Sequence, residues 1–188
     1  MKNIIVYTGK GAYQARDVEA FLAVFDFDYK RFCEHDLHYL TSNDLLIVPG
    51  GSTNEFKEVF KRNATLITDF INNGGSYLGI CAGVSALAST GLIPDVTHQT
   101  GVSKVVVKDL NGKSYDATAE NPPILPAFDN AQNLLVDQNG LTVAIKQKSG
   151  QGTIFLLAVH LEGSVFHRID PRDNSGSQFL KNLIEDIA

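Results

Sequence analysis

Tyr77-Leu78-Gly79-Ile80-Cys81-Ala82-Gly83-Val84-Ser85-Ala86-Leu87-Ala88 passes from an apolar run to a run of helix formers with a cysteine between two glycines. A strand that turns sharply into a helix needs small flanks around the corner residue, and that turn lifts the corner side chain above the sheet edge. Cys81 occupies the corner. Unpaired N–H groups at the start of the following helix favour thiolate over thiol, which is how a cysteine gains nucleophilicity near neutral pH. The competing reading is a buried cysteine at a strand end, with the glycines serving only the turn.

Working outward, Thr153-Ile154-Phe155-Leu156-Leu157-Ala158-Val159 is a continuous apolar run after Gly150-Gln151-Gly152, as expected of a strand buried on both faces over 153–159. His160 and Glu162 follow it directly. An imidazole at a strand end, with a carboxylate two residues on to fix its tautomer, can act as the base for a thiol. Cys81, His160 and Glu162 therefore form a candidate nucleophile, base and orienting group, the logic of the serine triad carried over to sulfur. A surface His and a surface Glu in a loop are the structural alternative.

Short apolar strands alternate with amphipathic helices through the first half. Residues 3–8 read as a strand, and Val18, Phe21, Leu22 and Phe25 fall at helical spacing. Leu45-Leu46-Ile47-Val48 is a second buried strand closed by Pro49. Phe56, Val59 and Phe60 make one helical stripe, and Leu66, Ile67, Phe70 and Ile71 another, stopped by Gly74-Gly75. This pattern predicts an α/β fold with a doubly wound, mainly parallel sheet, whose ligands bind at the carboxyl ends of the strands. Val102–Val107 and Leu141–Ile145, with turns at Asn111-Gly112 and Asn139-Gly140, predict an antiparallel extension beside it. Phe179, Leu180, Leu183, Ile184 and Ile187 define a last helix capped by Asn174 or Ser175. Residues 113–131 are the least periodic stretch and read as a proline-stiffened loop over the active edge, with Tyr115 and Asn121 as candidate contacts or, alternatively, turn and packing residues.

On Ile4-Ile5-Val6-Tyr7, Leu46-Ile47-Val48-Pro49-Gly50-Gly51, the stretch Phe70–Gly83 and His160-Leu161-Glu162-Gly163, the chain resembles the class I glutamine amidotransferase-like superfamily, flavodoxin-like in its sheet. Within it the chain is similar to the biotin-protein ligase N-terminal domain family. The resemblance implies a Cys81, His160, Glu162 triad, an oxyanion hole from the N–H groups of Gly51 and Ala82, and substrate contacts at Gly50 and at Ser85. Preorganised N–H donors of that kind stabilise a developing oxyanion by about 3–4 kcal/mol each. The Gly50-Gly51 pair read by itself is equally an ordinary turn leaving a strand. Two positions depart from the pattern: Ser85 stands where glutamine-hydrolysing members commonly carry glutamine, and Leu161 replaces the proline of the usual late motif. No Gly-Arg-Gly-Arg type loop occurs, so biotin transfer is not expected.

Composition bounds the remainder. The chain has 188 residues, 44% of them apolar, and is expected to form one domain. Its 16 basic and 21 acidic residues leave a net charge of −5 without a basic cluster, which argues against nucleic acid as a partner. No signal peptide or membrane span is recognisable, and the two cysteines are read as reduced, in the cytoplasm. Cys33, read as following a helical stretch, sits near His35 and His38, but no fourth ligand is suggested and no metal is expected. Asp17 and Glu19 are placed on the solvated face of the first helix. The expected function is a cysteine-dependent hydrolase or amidotransferase-like enzyme acting on a small-molecule carboxamide without metal or organic cofactor. The alternative is a binding or regulatory domain of the same fold that contacts a ligand or partner protein. A homodimer is expected only by analogy.

Overall fold

The computed structural model describes residues 2–128, 130–163 and 169–188. Its strands are β1 Asn3–Tyr7, β2 Tyr29–Phe32, β3 Asp44–Val48, β4 Ser76–Ile80, β5 Thr97–His98, β6 Val102–Asp109, β7 Ser114–Glu120, β8 Pro123–Ile124, β9 Ala131–Val136, β10 Thr142–Ser149 and β11 Gly152–Leu157. Among the described residues, nine of these form one sheet in the order β2-β1-β3-β4-β11-β10-β9-β6-β7, while β5 and β8 pair separately. The half from β2 to β11 is parallel. From β11 to β7 every neighbour is antiparallel.

The two halves follow from their side chains. Every residue of β3, β4 and β11 is buried, so these strands need cover on both faces, and they receive it from helices. Helices α1 Ala15–Val24 and α5 Ser175–Ile187 cover one face, where Val18, Phe21, Leu22, Leu180 and Ile184 meet Ile4, Val6 and Phe155. Helices α2 Thr53–Arg62, α3 Ala64–Asn72 and α4 Ala82–Ala88 cover the other, packing Phe56, Phe60, Ile67 and Ile71 on Tyr7, Leu46 and Leu156. β6, by contrast, is largely exposed, as an antiparallel strand with one wet face can be. Asn174 caps α5 by accepting from the Gly176 N–H at 3.1 Å.

Several expectations need correction. Residues 114–120 form strand β7, not a loop: β-structure here comes from pairing with β6 across the Asn111-Gly112 turn rather than from apolar periodicity. Cys33 follows a strand, because Tyr29–Phe32 pairs with β1 at the sheet edge, where two half-buried aromatics suffice. Asp17 is buried in the first turn of α1, where a carboxylate meets the electropositive helix end, and Glu19 is held by Arg31 of β2. Leu66 is exposed, so the α3 stripe is Ile67, Phe70 and Ile71. The late strand stops at Leu157, three residues short of His160.

Those three residues carry the chain back toward the sheet's last strand. The His160 N–H donates to the Thr118 carbonyl at 2.7 Å and the Thr118 N–H to the His160 carbonyl at 3.0 Å, an antiparallel bridge. The antiparallel half thereby curls round until β7 lies over the carboxyl ends of β4 and β11. Among the described residues no helix is long and apolar enough to cross a membrane.

Candidate active site

Cys81 stands between β4 and α4 with φ 51° and ψ −112°, a conformation side-chain-bearing residues seldom adopt. The turn is tight for reasons visible in its flanks. A Cβ on Gly83 would overlap the Val48 carbonyl oxygen of β3, and one on Gly79 would lie 2.8 Å from the Gly83 carbonyl oxygen. The buried Tyr77 hydroxyl donates to that same Gly83 carbonyl at 2.7 Å, and the Cys81 N–H donates to Leu157 of β11 at 2.8 Å. Packing on both sides holds the strained residue at the carboxyl edge of the parallel strands.

His160 and Glu162 reach the same edge from β11. Both are buried, at 4% and 0% exposure, and His160 Nδ1 lies 2.8 Å from Glu162 Oε1. A carboxylate accepts only, so Nδ1 carries the hydrogen and Nε2 is left as the basic nitrogen when the ring is neutral. Glu162 Oε2 accepts from the Leu161 N–H at 2.9 Å. The loop is anchored in turn by α5, since the Leu161 carbonyl accepts from Ser177 Oγ at 2.7 Å and from Asn174 Nδ2 at 3.3 Å. These bonds fix the direction of the imidazole without the proline that the resemblance led one to expect.

Nε2 of His160 is buried and has no hydrogen-bond partner among the described residues. Burial by itself would push the imidazole down, but the Glu162 carboxylate and the neighbouring Cys81 sulfur outweigh it, and the His160 pKa is held well above the ordinary histidine value. Cys81 Sγ itself donates to the Glu120 carbonyl oxygen at 3.4 Å. The thiol thus has the His160 imidazole, beyond the end of β11, as a neighbour and bonds to a carbonyl of β7.

A cavity of about 360 Å³ opens on Cys81, lined also by Gly51, Ala82, His98, Glu120 and Asn121. Ala82 is the first residue of α4, so its N–H has no acceptor within the helix, and Gly51 faces the same space. Gly50 lies behind: a Cβ there would meet His160 Cε1 at 2.7 Å and overlap Gln14 Oε1. Ser85 is wholly buried and is not part of the lining; its Oγ is 2.7 Å from His98 Nε2, whose Nδ1 is 2.8 Å from the Asn121 carbonyl. Because a carbonyl can only accept, His98 Nδ1 carries the hydrogen, and in the neutral ring Ser85 donates to Nε2. Asn121 lines the cavity, but Tyr115 does not: its hydroxyl donates to Asp109 and its ring packs edge-on against Phe179.

Sequence reasoning missed Gln14, His98 and Glu120. No spacing rule links them to Cys81, because they arrive from α1's approach, from β5 and from the end of a strand read as a loop. Strand pairing of β5 with β8 and of β7 with β6 puts His98 and Glu120 there, while Gln14, just ahead of α1, is held by its N–H bond to the Gly50 carbonyl.

Residues 2–90 match the sequence-family model described as biotin-protein ligase, N terminal. Over 93 residues the chain is 31% identical to the biotin–protein ligase of Schizosaccharomyces pombe, covering 43% of this chain and 14% of that protein. Over 94 residues it is 33% identical to an uncharacterized protein of Chlamydia muridarum, covering 44% and 36%. The chain therefore spans about a third or less of the length of these relatives. The matching segment holds Gly51, Cys81 and Ala82 but stops short of His160 and Glu162. In three dimensions the chain is similar to PurLQS from Thermotoga maritima, with TM-score 0.78 and 16% identity over 100% of both chains. It is also similar to a glutamine amidotransferase (TM-score 0.65, 17% identity, 85% and 90% covered). The exo-β-1,4-mannosidase Op5Man5 from Opitutaceae bacterium strain TAV5 is a further structural neighbour (TM-score 0.63, 13% identity, 89% of this chain and 33% of that one). The fold is that of the class I glutamine amidotransferase-like proteins, and it also occurs within about a third of the longer mannosidase chain.

Proposed function

We propose that this chain, a glutamine amidotransferase-like fold with the biotin-protein ligase N-terminal sequence signature in residues 2–90, is a cysteine-dependent amidohydrolase. Cys81 Sγ, its proton already passed to His160 Nε2, attacks the carbonyl carbon of a carboxamide. Negative charge collects on the carbonyl oxygen, toward which the N–H groups of Gly51 and Ala82 are directed in this scheme. His160 then returns the proton to the departing nitrogen, which leaves as ammonia or an amine. The resulting thioester is cleaved by water, whose proton passes to His160 before Cys81 regains it. Glu162 holds the ring in the tautomer each step requires. The scheme uses no metal or organic cofactor.

The observation that carries this reading is the buried His160–Glu162 pair beside a strained cysteine. Burying a carboxylate and an imidazole costs several kcal/mol per ion, and a surface loop has no use for that expense. The test follows Cys81 alkylation by iodoacetamide against pH, resolved by mass spectrometry, in the native protein and in His160→Ala. An ordinary thiol becomes reactive only near pH ~8.5. Fast native alkylation near neutrality, lost in His160→Ala, is the expected result. An ordinary thiol profile in both proteins would overturn it.

A second reading, a ligand- or protein-binding domain without turnover, is favoured by one contact. Cys81 donates to the Glu120 carbonyl while His160 Nε2 stands unpaired. The same alkylation profile separates the two.

A further inference from the structure

A closed ring of contacts begins and ends at Cys81. About one turn along α4 from it, the wholly buried Ser85 places its Oγ 2.7 Å from His98 Nε2, and His98 Nδ1 donates to the Asn121 carbonyl at 2.8 Å. Asn121 takes a left-handed φ of 43°, which asparagine tolerates better than most residues. Gly101 locks it there: the Asn121 N–H donates to the Gly101 carbonyl at 2.7 Å, and Asn121 Oδ1 accepts from the Gly101 N–H at 2.9 Å. Pairing of β5 with β8 brackets the corner. The residue before Asn121 is Glu120, whose main-chain carbonyl accepts from Cys81 Sγ at 3.4 Å and so returns the ring to the nucleophile. A carbonyl that accepts from the thiol stabilises the protonated sulfur and opposes thiolate, which would meet the partial negative charge of the oxygen. Its hold on the proton competes with that of His160 Nε2.

We propose that His98 is a positioning residue for the nucleophile: by clamping Asn121 it keeps the Glu120 carbonyl on the Cys81 thiol, so that the sulfur is held protonated until His160 takes its proton. The proposal takes Cys81 as the reacting atom of the amidohydrolase scheme, while the clamp and its effect on the thiol do not depend on turnover. Besides His160, backed by Glu162, the titratable groups lining the cavity among the described residues are Tyr13, His98 and Glu120. The sign of the effect separates clamp from charge. An imidazolium at position 98 would favour thiolate, so losing it as a charge raises the pH at which Cys81 reacts, whereas losing it as a clamp lowers that pH.

The test measures the rate of Cys81 alkylation by iodoacetamide against pH, resolved from Cys33 by mass spectrometry, in the native protein, His98→Ala, His98→Asn and Ser85→Ala. Each profile has a midpoint, set by how tightly the sulfur holds its proton, and a plateau, set by how accessible it is. His98→Ala should lower the midpoint by about 0.5–1 pH unit, the worth of one hydrogen bond to the thiol. His98→Asn carries a donor close to where Nδ1 stood and can bond the Asn121 carbonyl again, so it should return the midpoint to the native value. Ser85→Ala leaves the ring bonded to Asn121 alone and should fall between. A midpoint unmoved or raised in His98→Ala, a changed plateau with a fixed midpoint, or no rescue by His98→Asn would overturn the proposal. Should His98→Ala fail to fold, Ser85→Ala decides, and a midpoint equal to the native one overturns it. A native midpoint at the ordinary thiol value that still falls in His98→Ala would sink the amidohydrolase while upholding His98 as the clamp.

Discussion

Glu162→Gln exchanges one oxygen for an NH2 group and should disarm the site while leaving its shape intact. Glu162 is wholly buried and accepts from two donors, His160 Nδ1 at 2.8 Å and the Leu161 N–H at 2.9 Å. A glutamine has one acceptor oxygen, so it can serve only one of them. If the oxygen serves Leu161, the NH2 group faces His160, and the ring must shift its hydrogen to Nε2, the atom needed to receive the thiol proton. If it serves His160, the Leu161 N–H is left buried beside a donor. Loss of a charge-assisted hydrogen bond costs about 1.5–3 kcal/mol, which for a chain of this size lowers Tm by roughly 3–12 °C. The wrong tautomer in a serine triad costs about 10⁴ in turnover, so the near-neutral reactivity of Cys81 should vanish in the variant.

The pH dependence has a definite sign. The folded His160 pKa is raised above its unfolded value, so the stabilisation it brings is complete below about pH 6.5 and drains away as pH climbs through the raised folded value. Urea unfolding at a series of pH values should therefore show the largest gap between native protein and variant on the acid side of that range, narrowing toward alkaline pH. A variant that matches the native protein in both its unfolding and its Cys81 alkylation profile would refute the argument.

Two further substitutions probe the turn and its helix. Gly83→Ala drives a methyl into the Val48 carbonyl and should destabilise by about 3 kcal/mol or more, read as a fall in the urea midpoint, because both partners are main chain and neither can swing aside. Ser85→Gln, which puts at this position the residue the superfamily resemblance led one to expect, should lose about 1–3 kcal/mol in thermal unfolding without conferring glutamine cleavage, since the site is fully buried and already committed to His98.

What could be read from the sequence was what local chemistry decides. The elbow around Cys81, the buried runs at 45–48 and 153–159 (the second longer by two residues than the strand that forms), the helical stripes of α1, α2 and α5 and the two Asn-Gly hairpin turns all announce themselves within a dozen residues. His160 and Glu162 were legible because they follow an apolar strand. What escaped was set by pairing at a distance. Ser114–Glu120 has few strand-like apolar residues of its own and becomes β7 by lying along β6. Tyr29–Phe32 is a strand because β1 offers it an edge. With β7 unseen, the positions of Glu120 and His98 around the cysteine could not be foreseen, nor that Ser85 would turn to a histidine instead of a ligand.

The bridge between Thr118 and His160 also ties chemistry to local opening. The amide hydrogens of these two residues are held in the bridge between β7 and the main chain of His160, so they exchange with solvent only when that pairing parts. The same parting lifts the Glu120 carbonyl from the cysteine and releases the main chain that aims the imidazole. Uncovering the sulfur and loosening the His160 imidazole are therefore a single cooperative event, and slow hydrogen exchange at Thr118 and His160 is the clock by which an assembled site can be told from one that has come undone.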